Sequence, residues 1–168
     1  MTYYDDIAQG YEELHWDEQM NKLKIIAKHL AVKESDTLLD VGCGSGIATR
    51  FWNCHRTGID TSVKLVDIAK GKDAIGTYLL GRAEQLPFPN HSFDIVISLT
   101  AIHNFDDYKK GLSEIERVGK GVFVISVLKR SPVAFSISKE IEANFPMHQV
   151  VEEEQDIIFL VGMQDHGQ

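Results

Sequence analysis

Apolar positions along this chain switch between the short solid runs of buried strands and the wider spacing of amphipathic helices. Met20, Leu23, Ala27 and Leu30 share one helical face with charged residues between them, which predicts a helix lying against a sheet; Lys33-Glu34-Ser35-Asp36 ends it. Leu38, Leu39 and Val41 read as a strand covered on both faces, and Ile47 to Trp52 begins a helix. Thr61 is placed to cap the following helix. Leu79 and Leu80 end a short strand, and Pro87-Phe88-Pro89-Asn90-His91 gives a loop where a crossover helix is common. Tyr108, Leu112 and Ile115 make the stripe of the next helix, which Gly119 and Gly121 stop. Val122 to Leu128 is the most strand-like run of the chain. Ala134, Ile137, Ile141 and Phe145 give one more helix, and His148 to Glu152 and Ile157 to Met163 are two strands joined around Glu153, Glu154 and Gln155. Alternation of strand and helix predicts an α/β fold with a mostly parallel sheet and an antiparallel C-terminal hairpin at one edge.

The richest segment is Leu38-Leu39-Asp40-Val41-Gly42-Cys43-Gly44-Ser45-Gly46, a strand running into a glycine turn. Amide groups at the start of the next helix lack intrahelical partners, so a ligand's polar head is expected there. A dinucleotide fingerprint, G-x-G-x-x-G, would need its third glycine at position 47, which is Ile47. Asp40, two residues before the first glycine, would repel a pyrophosphate and attract an ammonium group. A ligand carrying a cation fits better than a dinucleotide, although a turn-capping carboxylate would also place an acid at position 40.

This segment resembles the first motif of class I S-adenosylmethionine-dependent methyltransferases, and the chain downstream is similar to the same family in order. His55-Arg56-Thr57-Gly58-Ile59-Asp60 is a second short strand ending in the acid that the family uses to bind both ribose hydroxyls. Leu80-Gly81-Arg82-Ala83-Glu84-Gln85-Leu86-Pro87-Phe88-Pro89 is similar to its adenine segment, and Ser92-Phe93-Asp94-Ile95-Val96-Ile97-Ser98 to its fourth strand. The wording is closest to the small-molecule branch that includes ubiquinone and menaquinone C-methyltransferases. The resemblance implies a Rossmann-like, doubly wound seven-stranded sheet preceded by N-terminal helices: a helical lid segment over 1–34 and a methyltransferase core over 35–168, one domain overall. It implies S-adenosyl-L-methionine as cofactor, held around Asp40, Gly42, Cys43, Gly44, Gly46, Asp60, Thr61, Ala83, Glu84 and Leu99, with Tyr4 or Tyr11 of the N-terminal segment closing over it. Those tyrosines, with Tyr3, equally suit ordinary helix-face packing. The chain departs from the family at Arg82, where an acid commonly accepts from the adenine amino group; arginine only donates, so that contact shifts to backbone around Ala83, to Glu84 or to water. The link Arg117-Val118-Gly119-Lys120-Gly121 is also shorter than usual, which tightens a turn.

Bulk properties narrow the function. The 168 residues are 43% hydrophobic and 25% charged, enough for one core, and the net charge of -8 disfavours a nonspecific grip on nucleic acid. The N-terminus is acidic where a secretory signal would be basic, and no apolar run reaches spanning length, so a cytosolic protein is expected. Cys43 and Cys54 have no zinc spacing and read as small buried residues; no metal is expected. A sulfonium carries its own leaving group, so a methyltransferase chiefly orients its partners and needs a base only for a protonated nucleophile. His103, just past the fourth strand, is the candidate base; the alternative is a loop histidine bonded to backbone. The sequence after that strand, Ser98-Leu99-Thr100-Ala101-Ile102-His103, lacks the Asn-Pro-Pro-Tyr signature of amide and adenine N-methyltransferases, and neither cysteine sits as a nucleophile. Expected partners are therefore a small-molecule methyl acceptor and, because no long insertion roofs the pocket after the fifth strand, a homo-oligomer or an activating partner. Two other functions stay open: a catalytically silent cofactor-binding subunit that activates or stabilises a partner protein, and a nicotinamide oxidoreductase, against which Ile47 and Asp40 argue.

Overall fold

The central strand, β1 (Thr37–Val41), owes its position to its side chains: Leu38, Leu39 and Val41 are buried on both faces, so other layers must cover each side. The computed structural model describes residues 10–146 and 148–163. Before β1 comes helix α1 (Tyr11–Ala27). After it follow α2 (Ile47–Phe51), β2 (His55–Asp60), α3 (Val63–Lys72), β3 (Thr77–Leu80) and β4 (Phe93–Leu99). A 3-10 turn, Ile102–Asn104, leads to α4 (Tyr108–Val118), β5 (Gly119–Leu128), α5 (Ala134–Asn144), β6 (His148–Glu152) and β7 (Asp156–Val161).

These strands form one seven-stranded sheet in the order β3-β2-β1-β4-β5-β7-β6. The first five in sequence pair parallel, and β7 runs antiparallel to both β5 and β6. Between β1 and its two neighbours the winding reverses, and a crevice opens at the carboxyl ends of β1 and β4. One face of the sheet packs Leu112, Ile115, Ile137 and Ile141 of α4 and α5. The other packs Leu23 and Ile26 of α1 and Ile47 of α2.

Three local expectations are corrected. Ser62, not Thr61, caps α3, its Oγ accepting from Leu65 N at 3.2 Å. Asp60 explains the offset, because its own carboxylate accepts the Ser62 N–H and fixes that residue at the cap. Gly119 ends α4 as expected, but no turn follows it: β5 begins at Gly119 itself and runs through Gly121, and a Cβ at 119 would lie 2.4 Å from the Phe123 ring. On α1 the buried residues are Lys22, Leu23 and Ile26, Ala27 faces solvent, and Leu30 is buried beyond the end of the helix. The larger Ile26 claims the core side, and the stripe contains a charge.

That charge is Lys22, fully buried, with Nζ 3.0 Å from Oδ2 of the equally buried Asp156 at the start of β7. Both charges also contact Thr100 Oγ1, which donates to Asp156 at 2.7 Å. A buried pair gains little over an apolar replacement, but removing one partner strands the other without solvent. Lys22→Met alone should therefore lower unfolding free energy by about 3 to 5 kcal/mol in denaturant titrations, and Lys22→Met with Asp156→Leu by clearly less. Equal losses would show that the two charges are not coupled.

Candidate functional site

The turn after β1 is shaped by close approaches. Gly42 and Gly44 have φ of 76° and 56°, in the left-handed region that favours glycine. A Cβ at Gly42 would lie 2.5 Å from that of Ala101, and one at Gly44 would lie 2.9 Å from the Tyr11 hydroxyl. Absence of side chains thus lets the end of β4 and the first turn of α1 meet over the turn. Its amides are largely satisfied by protein: Gly42 N and Cys43 N donate to Ile59 O, and Gly46 N to Cys43 O. Gly44 N donates to Asp60 Oδ2 at 2.9 Å, and Ser62 N to Asp60 Oδ1 at 2.9 Å. This differs from a turn whose amides face a ligand anion; here an amide holds a carboxylate, and that carboxylate borders the cavity.

The cavity has a volume of about 380 Å³ and opens at the carboxyl ends of the strands, within the size range of small-molecule sites. Of the residues expected from sequence, Gly42, Gly44, Asp60, Thr61, Ala83, Glu84, Leu99 and Tyr11 line it. Asp40 and Cys43 line a small adjoining cavity with Gln19 and Ala48. Gly46 lies against Tyr78, and neither it nor His103 lines either cavity. Tyr3 and Tyr4 lie outside the described residues. Residues that the sequence reading did not single out complete the wall, among them Ile59, Leu65, Thr100, Ala101, Asn104 and Phe105. Their common signal is position, since each sits at or just beyond the carboxyl end of β2 or β4, or on the helix that follows.

Electrostatics separates the acids. Asp40 is buried, accepts from Thr49 Oγ1 at 2.7 Å, and is pushed by desolvation, with a contribution from the Asp60 charge, up to about 7. Its bond runs to Thr49 on α2, so it does not simply cap the turn. Burial raises the Cys43 thiol well above its ordinary value, with the Asp40 and Asp60 charges adding to it, so that cysteine stays protonated beside Val66 and Tyr78. Glu84 accepts the Asp107 N–H at 3.2 Å and lies 3.7 Å from Arg82, whose guanidinium also reaches Asp106 across the rim. Thr100 has φ 53°, strained for a β-branched residue and worth of order 1 to 3 kcal/mol. It is clamped by Ser126 Oγ, which accepts its N–H at 2.8 Å, and by the Lys22–Asp156 pair. His103 occupies the 3-10 turn whose flanks, Ala101 and Asn104, line the cavity. Burial pushes its imidazole below the ordinary value, and its buried Nδ1 has no hydrogen-bond partner among the described residues.

An acid anchored at the end of β2, glycine backbone at the base, and apolar walls from Ile59, Leu65 and Leu99 fit a nucleoside with free ribose hydroxyls. Comparison with known proteins agrees. The family described as a methyltransferase domain matches residues 39–125. An uncharacterised protein of Methanocaldococcus jannaschii is 34% identical over 147 residues, covering 85% of this chain and 57% of its own length. Demethylmenaquinone methyltransferase of Thermotoga maritima is 29% identical over 143 residues, covering 79% and 62%. The chain therefore spans less than two thirds of these curated relatives. A solved complex of the Haloferax volcanii Trm112 methyltransferase activator with a putative methyltransferase is similar with a TM-score of 0.72 and 27% identity, covering 92% of this chain and 80% of that one. The sheet order, the glycine turn and the acid ending β2 are thus those of a known family: the chain belongs to the class I S-adenosyl-L-methionine-dependent methyltransferases.

Proposed function

We propose that the protein transfers the sulfonium methyl of S-adenosyl-L-methionine directly and in line to a small molecule. The observation that carries this reading is the Asp60 carboxylate, held by two backbone amides at the edge of a cavity of about 380 Å³. The bound cofactor supplies a methyl group on positively charged sulfur, already activated toward a nucleophile. The chain's own residues then bind, orient and exclude water. Asp60 accepts from both ribose hydroxyls. Ala83 and Glu84, with backbone beside Arg82, border the adenine. Asp40, in the adjoining cavity, attracts the ammonium group, with Gly42, Cys43, Gly44 and Gly46 shaping the turn beneath it. Leu99, Ala101 and Phe105 give the cavity an apolar stretch of wall, bordered by Tyr11, that would help exclude water from a bound sulfonium. Within the lid segment 1–34, the first turn of α1 is tied down by Glu12, which bonds Ser45 and Arg50 and pairs with Lys72. Where the acceptor is a hydroxyl or an acidic carbon, His103 is the candidate base; it stands beside the cavity and not in its wall, so it would reach that proton only if the 3-10 turn re-orients, and burial pushes its imidazole toward the neutral form. A small acceptor is supported by the net charge of -8 and by the compact cavity. The free, buried cysteines Cys43 and Cys54 suit a reducing cytosol.

A second reading, in which the chain works with or for a partner protein, draws on the activator complex formed by the Haloferax protein. The readings separate in a methyl-transfer assay on a small-molecule panel: turnover by the isolated chain supports the first, and turnover that appears only with a partner supports the second.

Calorimetry should show S-adenosyl-L-methionine and its demethylated product binding while NAD does not. Asp60→Ala should weaken the cofactor by roughly 100-fold with the fold intact, the scale of two charge-assisted bonds partly restored by water. NAD binding of equal strength, or an unchanged affinity in the variant, contradicts the assignment.

Asp40 gives a pH signature. Its folded pKa is raised to about 7 from the ordinary carboxylate range. Its contribution to stability is then full below the unfolded value of about 4 and is lost as pH rises through the folded value. Stability of the ligand-free protein should fall between about pH 4 and 7 more steeply than in Asp40→Asn. Binding of the cofactor's ammonium should release protons near neutrality, visible as buffer-dependent binding heat; heat independent of buffer would move the ammonium elsewhere.

His103→Ala should leave cofactor affinity near wild type and lower turnover by about 100-fold or more. Turnover that survives on the true acceptor would make His103 an ordinary loop residue.

A further inference from the structure

We infer that Lys22 and Asp156 are positioning residues for the methyl-transfer pocket, acting through the strained backbone of Thr100. This rests on the reading of the cavity as the cofactor site and adds two residues, distant in sequence, that no part of that reading uses. Thr100 is the first residue beyond β4 and lies in the cavity wall between Leu99 and Ala101. Its φ of 53° turns the chain across the base of the cavity, and the next residue, Ala101, comes so near the glycine turn that a Cβ at position 42 would sit 2.5 Å from it. The Thr100 conformation therefore sets the gap between the end of β4 and the turn after β1. A β-branched residue keeps such a backbone only when its surroundings hold it.

The holding groups come from three elements. Ser126 of β5 accepts the Thr100 N–H, Asp156 of β7 accepts from its hydroxyl at 2.7 Å, and Lys22 of α1 donates to that same hydroxyl. Lys22 and Asp156 are both fully buried and 3.0 Å apart. Each neutralises the other, so two charges that would each be unfavourable alone in the core together hold one hydroxyl, Lys22 donating to it and Asp156 accepting from it. The clamp also links α1 to the cavity wall: undocking α1 would withdraw Lys22, strand the Asp156 charge and leave Thr100 held by Ser126 and Asp156 alone.

The test is a double-mutant cycle with glycine at the strained position, because glycine adopts positive φ without a clamp. The paired substitution Lys22→Met with Asp156→Leu, which leaves no stranded charge, is made in the wild-type background and together with Thr100→Gly. Affinity for S-adenosyl-L-methionine is measured by calorimetry at a temperature where circular dichroism shows every variant folded, and amide exchange over residues 99–102 is followed without ligand. The paired substitution should weaken binding about 10-fold in the wild-type background and by clearly less with Thr100→Gly, and it should speed exchange at Thr100. If the apolar pair does not fold, Lys22→Gln with Asp156→Asn is read in the same way. Equal losses in both backgrounds, or unchanged exchange at Thr100, overturn the inference. Failure of the wild-type protein to bind the cofactor overturns the cofactor reading instead, and the exchange measurement still decides the clamp.

Discussion

The bond from Gly44 N to the Asp60 carboxylate is the contact on which the site depends. It joins the turn after β1 to the end of β2 at 2.9 Å, while the Ser62 amide holds the second carboxylate oxygen at the start of α3. Two strands and a helix are thereby fixed around one acid. Because that acid is oriented by two backbone donors, its position at the cavity edge is set in advance, the kind of preorganisation that spares a ligand the cost of ordering its site. The close approach needs glycine at positions 42 and 44, which also admits Ala101 and Tyr11 to the same small region.

Buried charge is used in two different ways. Asp40 has a hydroxyl partner, Thr49, and burial raises its pKa toward neutrality, which leaves it responsive to a cationic ligand. Asp156 has a full countercharge in Lys22 and serves geometry. Elsewhere Asp73 shows the structural version of the same chemistry. It accepts from both Arg56 Nε and Nη2 and from the Tyr78 hydroxyl, and the Arg56 guanidinium holds its carboxyl well below the usual range. Tyr78 in turn supports the glycine turn from beneath.

Helix α1 belongs to both the core and the site. Its second half buries Leu23 and Ile26 against the sheet, while its first turn brings Tyr11 to the cavity wall and Glu12 to Ser45 and Arg50. A segment that looks like an added lid by sequence thus shares its packing with the sheet it covers. Movement of its first turn and integrity of the core can be separated only where these two sets of contacts part, between Tyr11 and Lys22.

Sequence by itself determined the elements and the ligand-bearing edge. Short, largely apolar runs such as Leu38–Val41 and Val122–Leu128, bounded by turn residues, read as buried strands, and the glycine spacing with Ile47 at the third position argued against a dinucleotide turn. Asp60 was legible because an acid at the end of a short strand has a defined place in a doubly wound sheet. Other features were decided by tertiary structure, because they depend on partners far apart in the chain. Lys22 interrupts an apolar stripe and reads as a solvated charge until Asp156, six strands further along the chain, is brought beside it. Thr100 carries no local sign of positive φ, since its clamp comes from Ser126, Asp156 and Lys22. The place of His103 beside the cavity and not in its wall was settled the same way: one residue of a 3-10 turn can face either side, and only packing chooses. Periodicity and motif spacing record what neighbours in sequence must do, whereas burial of a charge or strain in a backbone is fixed by what the fold puts against it.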